Sequence, residues 1–421
     1  MFAFVSLKRA VSWLKSVRTS KSELSQATIF APTASTYFKT GDIACAGGAE
    51  RQLFNLAEML SEAGVDIRVL TINVDDNQIV DRSHLHVINT WRSGEPKLKR
   101  FWGLVRHISS APSPVYVRTP SPVSALVSLG CRAMGKRVAL SIASDLNCIP
   151  HSGATIRNFW TKVALKTSSQ VVVQTQEQQK LLMTNFKVSA TLFPNVIRNE
   201  DFSWARASSF HDRDIDVAWI GGFGQRKGLE DVVEIAGRLN NCKFAVLGGS
   251  LPGERTYADK LISRLRGLAN VTVPGFVQPI DIPSWLGRSK ILLHTSPPVI
   301  NNLTKEGFPN VFLEAWAAGV TVVSLHADPD QLLSYTKLGY KCSPITEAVT
   351  NIEKLVQDEQ SWETTHELAD THIKSRDIRA DAVREAFVAI LLGRRGKPAI
   401  RMIDVQVPDE CDISTENGQM Q

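Results

Sequence analysis

One strand, helix and strand unit in the last third of the chain constrains the fold most. A predicted strand at 291–296 leads into a loop reading Lys-Glu-Gly-Phe-Pro-Asn at 305–310, and a second predicted strand ends the mostly apolar run at 317–324. Between them lies a short helical pattern. Open α/β sheets built from such units bind ligands at the carboxyl ends of their strands. The unit therefore predicts an α/β fold with its binding site at this loop.

Two carboxylates flank the predicted turn of this unit. Pro309 suits the first helical position and Gly307 permits the tight backbone before it, so Glu306 lies off the helix. At ~1.5 Å rise per residue, Glu314 lies roughly 7 Å along the axis from Pro309. The free N–H groups of the first turn form an anion site between the two carboxylates. The spacing fits an elongated ligand with hydroxyls at both ends and phosphates between them, or an ordinary surface helix that carries two glutamates.

The residues from Glu306 to Gly319 match the pattern E-G-F-x-x-x-x-L-E-A-x-A-x-G. This resembles the hallmark of the retaining nucleotide-sugar glycosyltransferases of family four, which have the GT-B fold. The resemblance covers residues 27 to about 393. It implies two Rossmann-like domains, each a doubly wound parallel sheet, that face a cleft. The implied reaction transfers a sugar from a nucleoside diphosphate sugar to an acceptor hydroxyl with retention of the anomeric configuration.

Composition and the resemblance together divide the chain into six segments. These are a basic amphipathic leader (1–26), an N-terminal acceptor-side domain (27–197), a polar linker (198–213), a C-terminal nucleotide-sugar-binding domain (214–377), a crossover helix (378–393) and a disordered tail (394–421).

The leader combines apolar residues at helical spacing with basic ones. Residues 1–22 contain no acid, and Lys8 and Arg9 interrupt any apolar core of the kind that a signal peptide needs. The segment is either an interfacial amphipathic helix on an anionic membrane or a loosely packed leader.

In the predicted N-terminal domain, Gly47 and Gly48 lie where a loop enters the first long helix. Turns use glycine pairs constantly, but Gly-Gly-Ala-Glu resembles the family's signature at this position, which implies that the pair lines the cleft. Asp145 follows the strand 137–142, where many relatives carry a histidine near the reacting sugar. Asp145 either takes that place or caps the next turn.

The predicted C-terminal domain opens with the strand 215–220 and a glycine-rich turn. Lys227 stands where a dinucleotide fingerprint would have its last glycine. A lysine at a helix start is unfavourable for the helix dipole, which argues that a ligand anion offsets it. The family usually has an arginine five residues earlier, where this chain has Gly222. Arg226 is a neighbouring substitute for it.

The resemblance assigns three charged residues. Lys227 neutralises the departing diphosphate, Glu306 contacts the donor sugar near the reacting carbon, and Glu314 binds the ribose hydroxyls. With Gly47, Gly48 and Arg226, the remaining predicted substrate contacts are Gly248, Phe276, Val277, Gly307, Phe308, Pro309 and Asn310. The backbone of Phe276 and Val277 is the predicted contact for the base.

Composition gives no sign of nucleic-acid binding or of a metal or redox site. The net charge of +6 is modest for 421 residues and does not require nucleic acid, and the six cysteines lack metal or redox spacing. We therefore expect no metal site and no cofactor beyond the nucleotide sugar. The expected acceptor is a glycan or a lipid-linked molecule of bacterial surface polysaccharide synthesis. The expected location is the cytoplasm, free or at the inner membrane face through the leader.

Two other functions fit the same sequence. A nucleotide-sugar epimerase or a glycan phosphorylase can have the same architecture. A non-catalytic nucleotide-sugar-binding protein is the second alternative, because Gly222 and the missing histidine depart from the family's pattern.

Overall fold

The computed structural model describes residues 25–39, 47–75, 82–251, 253–298, 306–375 and 380–391. Several predicted features lie outside these ranges: the leader up to residue 24, Lys305 of the site loop, and the disordered tail 394–421.

In the described part of the chain, seven parallel strands form one sheet in the order β3-β2-β1-β4-β5-β6-β7. They are β1 (Gln26–Phe30), β2 (Asp66–Thr71), β3 (Leu85–Asn89), β4 (Val115–Arg118), β5 (Val138–Ser141), β6 (Gln170–Val173) and β7 (Thr191–Leu192). The order reverses between β1 and β4, so a crevice opens at the carboxyl ends of these two strands. β5 is buried along its whole length, as expected for a strand covered on both faces.

Helices cover both faces of this first sheet. They are α1 (Gly48–Glu62), α2 (Lys97–Ser110), α3 (Pro122–Ala133), α4 (Thr155–Thr167) and α5 (Gln176–Phe186). Helices α2 to α5 share one core cluster with β5, to which they contribute Leu104, Val127, Leu165 and Leu182. Helix α1 packs in the cluster on the opposite side.

A second parallel sheet has the order β10-β9-β8-β11-β12-β13 among the described residues. Its strands are β8 (Ile215–Ile220), β9 (Phe244–Leu247), β10 (Val271–Gly275), β11 (Ser289–His294), β12 (Thr321–Ser324) and β13 (Gly339–Lys341). The remaining helices are α6 (Ser203–Arg206), α7 (Leu229–Arg238), α8 (Arg255–Arg266), α9 (Ile282–Gly287), α10 (Asn310–Ala317), α11 (Leu332–Thr336), α12 (Ile345–Gln357), α13 (Glu359–Ser375) and α14 (Ala380–Leu391). The predicted fold class, two doubly wound parallel sheets, is confirmed.

The segment 198–213 connects the two sheets and is more ordered than the polar linker expected from sequence. Phe202 and Ala205 are buried in it. Arg213, only 2% exposed, donates hydrogen bonds to the backbone carbonyls of Ser289 at 2.6 Å and Ala318 at 3.0 Å. These contacts fix the end of the segment onto the second domain.

The final described helix returns to the first domain. The ring of Phe387 in α14 lies 5.5 Å from that of Tyr116 and 6.2 Å from that of Phe193. Thus α14 follows the second sheet in sequence but packs beside the first.

Three elements of the first domain, β3, α2 and α4, were not predicted from sequence. The strand β3 is a short edge strand in which the exposed His86 interrupts the apolar run. The crossover helix predicted at 378–393 corresponds to α14, and α12 and α13 precede it, with extended backbone at Asp358 ending α12. Within the described ranges, no helix has the length and apolarity needed to cross a bilayer.

Candidate active site

The loop before α10 places Glu306 at the carboxyl end of the second sheet. Helix α10 begins at Asn310, and Pro309 is its N-cap with an extended ψ of 121°. The prediction that Pro309 is the first helical residue is therefore wrong by one position. The reason is that its carbonyl already accepts the first helical hydrogen bond, from Phe312 N–H at 3.1 Å, while its own backbone remains extended.

Three side chains hold the carboxylate of Glu306. Lys227 Nζ forms a short ion pair with Oε1, and Ser296 Oγ donates to the same oxygen at 3.1 Å. His294 Nε2 lies 3.1 Å from Oε2. Lys227 follows β8 and His294 ends β11, and these strands are neighbours in the sheet. The predicted Lys227 and Glu306 are therefore brought together, along with two residues that sequence reasoning missed.

The charge state of Glu306 follows from this surrounding. Burial by itself raises the pKa of this carboxyl group. The positive charge of Lys227 and the hydrogen bond with His294 lower the pKa by a larger amount, so the net pKa is below the ordinary value. The carboxylate is consequently ionised throughout the neutral range. This makes Glu306 an electrostatic group or hydrogen-bond acceptor rather than a proton donor.

His294 is fixed on its other side as well. Its Nδ1 lies 3.4 Å from Ser324 Oγ on β12, and the ring of Phe312 packs edge-on at 5.0 Å. The signal in the sequence was a polar residue at the end of the apolar strand 289–294, at the edge where ligands bind.

The backbone of Lys227 is anchored to the strand beside it. Thr295 Oγ1 donates to the Lys227 carbonyl at 2.7 Å and accepts from Trp219 Nε1 at 2.9 Å. Gly228 follows with φ of +64°, and a Cβ there would overlap the carbonyl oxygen of Thr295. This glycine therefore lets the lysine turn lie directly on β11.

The first domain meets the same loop. Ser144, just after β5, forms an isolated backbone bridge with Glu306. The N–H of Phe308 donates to Gln174 Oε1 at 3.0 Å, and its carbonyl accepts from Asn195 Nδ2 at 3.2 Å. The sequence predicted that the amides of this loop serve a ligand, but Gln174 already occupies the amide of Phe308.

Asp145 lies beside this contact and is 5% exposed. Its Oδ1 accepts from Gln178 Nε2 at 3.0 Å, and the same Nε2 would lie 2.5 Å from a Cβ added at Gly307. Ser144, not Asp145, caps the turn, because its Oγ accepts from the N–H of Leu146 at 3.3 Å. Asp145 therefore contacts Gln178, which lies against Gly307 of the Glu306 loop.

The predicted glycine pair faces the second domain. Asn310 Nδ2 donates to the carbonyl of Gly48 at 2.6 Å, and Asn310 Oδ1 accepts from Asn195 Nδ2 at 2.6 Å. A Cβ at Gly48 would lie 2.8 Å from Asn310 Nδ2, and Gly47 is the N-cap of α1. Gly48 and Asn310 therefore meet across the boundary between the domains.

Glu314 also has a partner from the other domain. Its Oε1 lies 3.0 Å from Arg51 Nη1 on α1, and both side chains are largely buried. Arg51 Nη2 additionally donates to the carbonyl of Pro279 at 3.4 Å. Arg51 was missed from sequence, because only the packing of α1 against the second domain brings it here.

Two residues of the predicted phosphate region lie apart from the carboxylate cluster. Arg226 is exposed and has no hydrogen-bond partner among the described residues. A Cβ at Gly222, where the family has an arginine, would lie 2.6 Å from Leu251 Cδ2. The local packing thus favours glycine at this position.

The predicted nucleotide-contacting residues after β9 and β10 line the edge of the same crevice. A Cβ at Gly248 would overlap the carbonyl oxygen of Gly221, so the close approach of two backbones requires this glycine. Phe276 is 40% exposed and packs on Gly249, while Val277 is half-buried. Gly248 therefore has a packing role independent of any nucleotide.

The described residues include no group of three or more His, Cys, Asp or Glu arranged to hold a metal ion. Cys131, Cys148, Cys242 and Cys342 are free and buried.

Comparison with known protein families gives a match to the second domain. The sequence model of the family described as Glycosyl transferases group 1 matches residues 214–358. No curated protein matches the sequence.

Solved structures resemble nearly the whole chain. HepE from Anabaena in complex with UDP aligns with a TM-score of 0.66 and 17% identity, covering 87% of this chain and 100% of that one. Sucrose-phosphate synthase from Thermosynechococcus elongatus aligns with a TM-score of 0.68 and 17% identity, covering 87% and 98%. TarM from S. aureus, in complex with UDP and other ligands, aligns with a TM-score of 0.63 and 11% identity, covering 87% and 99%. At these identities the likeness shows the fold alone, which is GT-B. The family model thus matches the second domain, and the solved structures show the GT-B fold over nearly the whole chain.

Proposed function

We propose that the protein transfers a sugar from a nucleoside diphosphate sugar to an acceptor hydroxyl and retains the anomeric configuration. The observation that carries this proposal is the pairing of Lys227 with Glu306 at the carboxyl ends of β8 and β11, facing the first domain. A fixed cation beside a fixed anion suits a donor that is negative at its diphosphate and rich in hydroxyls at its sugar.

The donor's diphosphate is the group that Lys227 would stabilise. Charge develops there as the sugar leaves, and preorganised donors of this kind are worth roughly 3 kcal/mol each. The N-terminus of α10 supplies further partial positive charge nearby. UDP is the first nucleotide to test, because HepE and TarM are described as complexes with UDP.

The sugar would contact Glu306, whose carboxylate remains held by His294 and Ser296 when Lys227 turns to the diphosphate. Glu314 would accept the ribose hydroxyls, in place of or alongside Arg51. Asp145 contributes by holding Gln178 against the loop rather than by touching the sugar. In this proposed reaction, side chains and helix N–H groups stabilise the charge that develops on the diphosphate, without a resident metal.

In this proposal the acceptor binds to the first domain. We expect the acceptor to be a glycan or a lipid-linked molecule of bacterial surface polysaccharide synthesis. Cytoplasmic location, with contact to the inner membrane face, agrees with such an acceptor.

A direct test combines donor binding with turnover. A panel of nucleotide sugars is screened for the one that raises the melting temperature, because selective binding to the native state stabilises it. Release of nucleoside diphosphate is then measured for the wild type, Lys227→Met and Glu306→Gln, with Lys260→Met on the exposed face of α8 as the matched control. We expect loss of about 100-fold or more in both site variants and none in the control. Wild-type rates in both site variants would refute the proposal.

The product distinguishes the competing functions. NMR of the glycosylated product reports the anomeric configuration, and inversion would contradict the retaining reaction. Donor consumption without any glycosylated product indicates an epimerase. Tight nucleotide binding with no turnover on any acceptor indicates a non-catalytic binding protein.

A further inference from the structure

The first domain carries an apolar surface that no contact in the described structure covers. Helices α2, α3 and α4 bury one side of each helix against the first sheet, through Leu104, Val127 and Leu165. Large apolar side chains are exposed on the same three helices. We call this set the cationic apolar face: Leu98, Phe101 and Trp102 on α2, Leu126 on α3, and Ile156 and Phe159 on α4.

These side chains lie on neighbouring helices. Helix α3 packs against both α2 and α4, so the three helices are one continuous layer. Leu98, Phe101 and Trp102 recur at helical spacing on the outer side of α2, and Trp102 is 60% exposed. Ile156 on α4 is 76% exposed. A group of exposed apolar side chains of this kind marks an interaction site.

The charge around this face is mostly positive. Residues 96–176 contain eleven Lys and Arg and one acid, the buried Asp145, while Glu95, just before α2, pairs with Lys99. Exposed cations include Lys97 and Arg106 on α2 and Lys162 and Lys166 on α4. The chain as a whole has a formal charge of +6, so this stretch of 81 residues carries more than the net positive charge of the protein.

We propose that the cationic apolar face docks on a bilayer containing anionic lipid. Lys and Arg beside exposed Trp, Phe and Leu are the composition of interfacial membrane-binding helices. This inference rests on the proposed function only where it links the membrane to a lipid-linked acceptor. The proposed membrane contact lies on folded helices of the first domain rather than on the leader.

Other occupants fit the face less well. A second copy of the chain would bring like charges together, because a two-fold interface sets the same surface against itself. A nucleic acid matches the cations but leaves the aliphatic Leu98 and Ile156 in contact with phosphate and water. An anionic bilayer satisfies both the charge and the apolar side chains.

The test uses the full chain and flotation with vesicles of phosphatidylglycerol and phosphatidylcholine, without donor. We expect Phe101→Ser with Trp102→Ser to weaken binding at least ten-fold. Lys162→Gln with Lys166→Gln should weaken it about five-fold per lysine, and pure phosphatidylcholine should bind poorly. The matched control is Ile280→Ser with Tyr335→Ser, which removes exposed apolar side chains of the second domain and should leave binding unchanged.

A conservative pair keeps the test independent of folding. Lipids with brominated acyl chains quench tryptophans that enter the bilayer. We expect Trp102→Phe to remove most of the quenching and Trp204→Phe, which removes another exposed tryptophan, to remove little.

Unchanged vesicle binding in both face variants would overturn the proposal and leave the leader as the contact. A shift in oligomeric state without a change in vesicle binding would overturn it in favour of self-association. Loss in the lysine variant alone, with heparin binding lost equally, would overturn it in favour of a soluble polyanion. Because no donor is present, none of these results depends on whether the protein transfers sugar.

Discussion

Replacing Glu306 by Gln should affect nucleotide binding and catalysis in opposite directions. In the free protein the Glu306 carboxylate pairs with Lys227 and also accepts from His294 and Ser296. A diphosphate that binds Lys227 must lie close to this carboxylate, and the two negative groups repel each other. Glu306→Gln keeps the size of the side chain and one acceptor oxygen but removes the negative charge.

The magnitude follows from Coulomb's law. Two unit charges ~6 Å apart, with the lysine between them, repel by about 3 kcal/mol at an effective dielectric constant of about 20. The side chains of Lys227 and Glu306 are 32% and 19% exposed, so solvent screening reduces this value. A net gain of about 1 kcal/mol corresponds to UDP binding about five-fold more tightly.

Lys227→Met should have the reverse effect on binding. It removes a charge-assisted hydrogen bond worth about 1.5–3 kcal/mol and leaves Glu306 without its cation, so UDP should bind at least ten-fold more weakly. In that background, Glu306→Gln should restore part of the affinity, because the uncompensated carboxylate is then removed. Turnover should fall about 100-fold or more in each single variant.

Isothermal titration with UDP measures the affinities, and release of nucleoside diphosphate measures turnover. Lys260→Met and Glu363→Gln, on exposed positions of α8 and α13, serve as charge-matched controls. Weaker UDP binding by Glu306→Gln than by the wild type, or no restoration in the Lys227→Met background, would refute the assignment of these two residues to one diphosphate site.

Three further predictions concern stability. Burial raises the pKa of Asp231 to about 6, so the folded state loses stability as the pH rises from the ordinary Asp value of about 4 to 6 and keeps that loss above 6; Asp231→Asn should therefore raise stability by about 2 kcal/mol at pH 7.5 and by little at pH 4, measured as melting temperature against pH. Arg213→Met should lower the free energy of unfolding by about 3–5 kcal/mol in urea titrations, because several buried carbonyls lose their donor. Asp330→Gly should cost about 1 kcal/mol and accelerate amide exchange at Gln176, whose N–H donates to Asp330 at 2.9 Å across the domains.

Local sequence patterns were sufficient for the elements that carry Glu306 and Lys227. The strand 215–220 was predicted with the bounds of β8, because a strand buried on both faces reads as an apolar run ended by glycine. The loop at 306–310 could be placed at a strand end for the same reason. The single-residue error at Pro309 reflects the fact that proline suits both the N-cap and the first helical position.

The partners of these residues could not be predicted in the same way. Arg51, Gln174 and Asn195 lie far from the loop in sequence and reach it only because the two domains pack together. Periodicity describes one element at a time and contains no information on that packing. His294 was missed for a different reason, since a polar residue ending an apolar strand is equally compatible with a satisfied buried histidine.

These partners lead us to expect that the proposed donor would replace existing ion pairs on binding. Lys227 is paired within the second domain, whereas Glu314 is paired with Arg51 of the first. A diphosphate at Lys227 therefore competes with an ion pair inside one domain, and a ribose at Glu314 competes with an ion pair between domains. The affinity for a ligand reflects the interactions that form minus the internal interactions that the ligand displaces. The two ends of the nucleotide should therefore be coupled to different structural changes, one within the second domain and one between the domains. If the proposed function is right, we expect the diphosphate end to reorganise the Glu306 cluster and the ribose end to loosen the first domain from the second, a change that would admit an acceptor to the cleft.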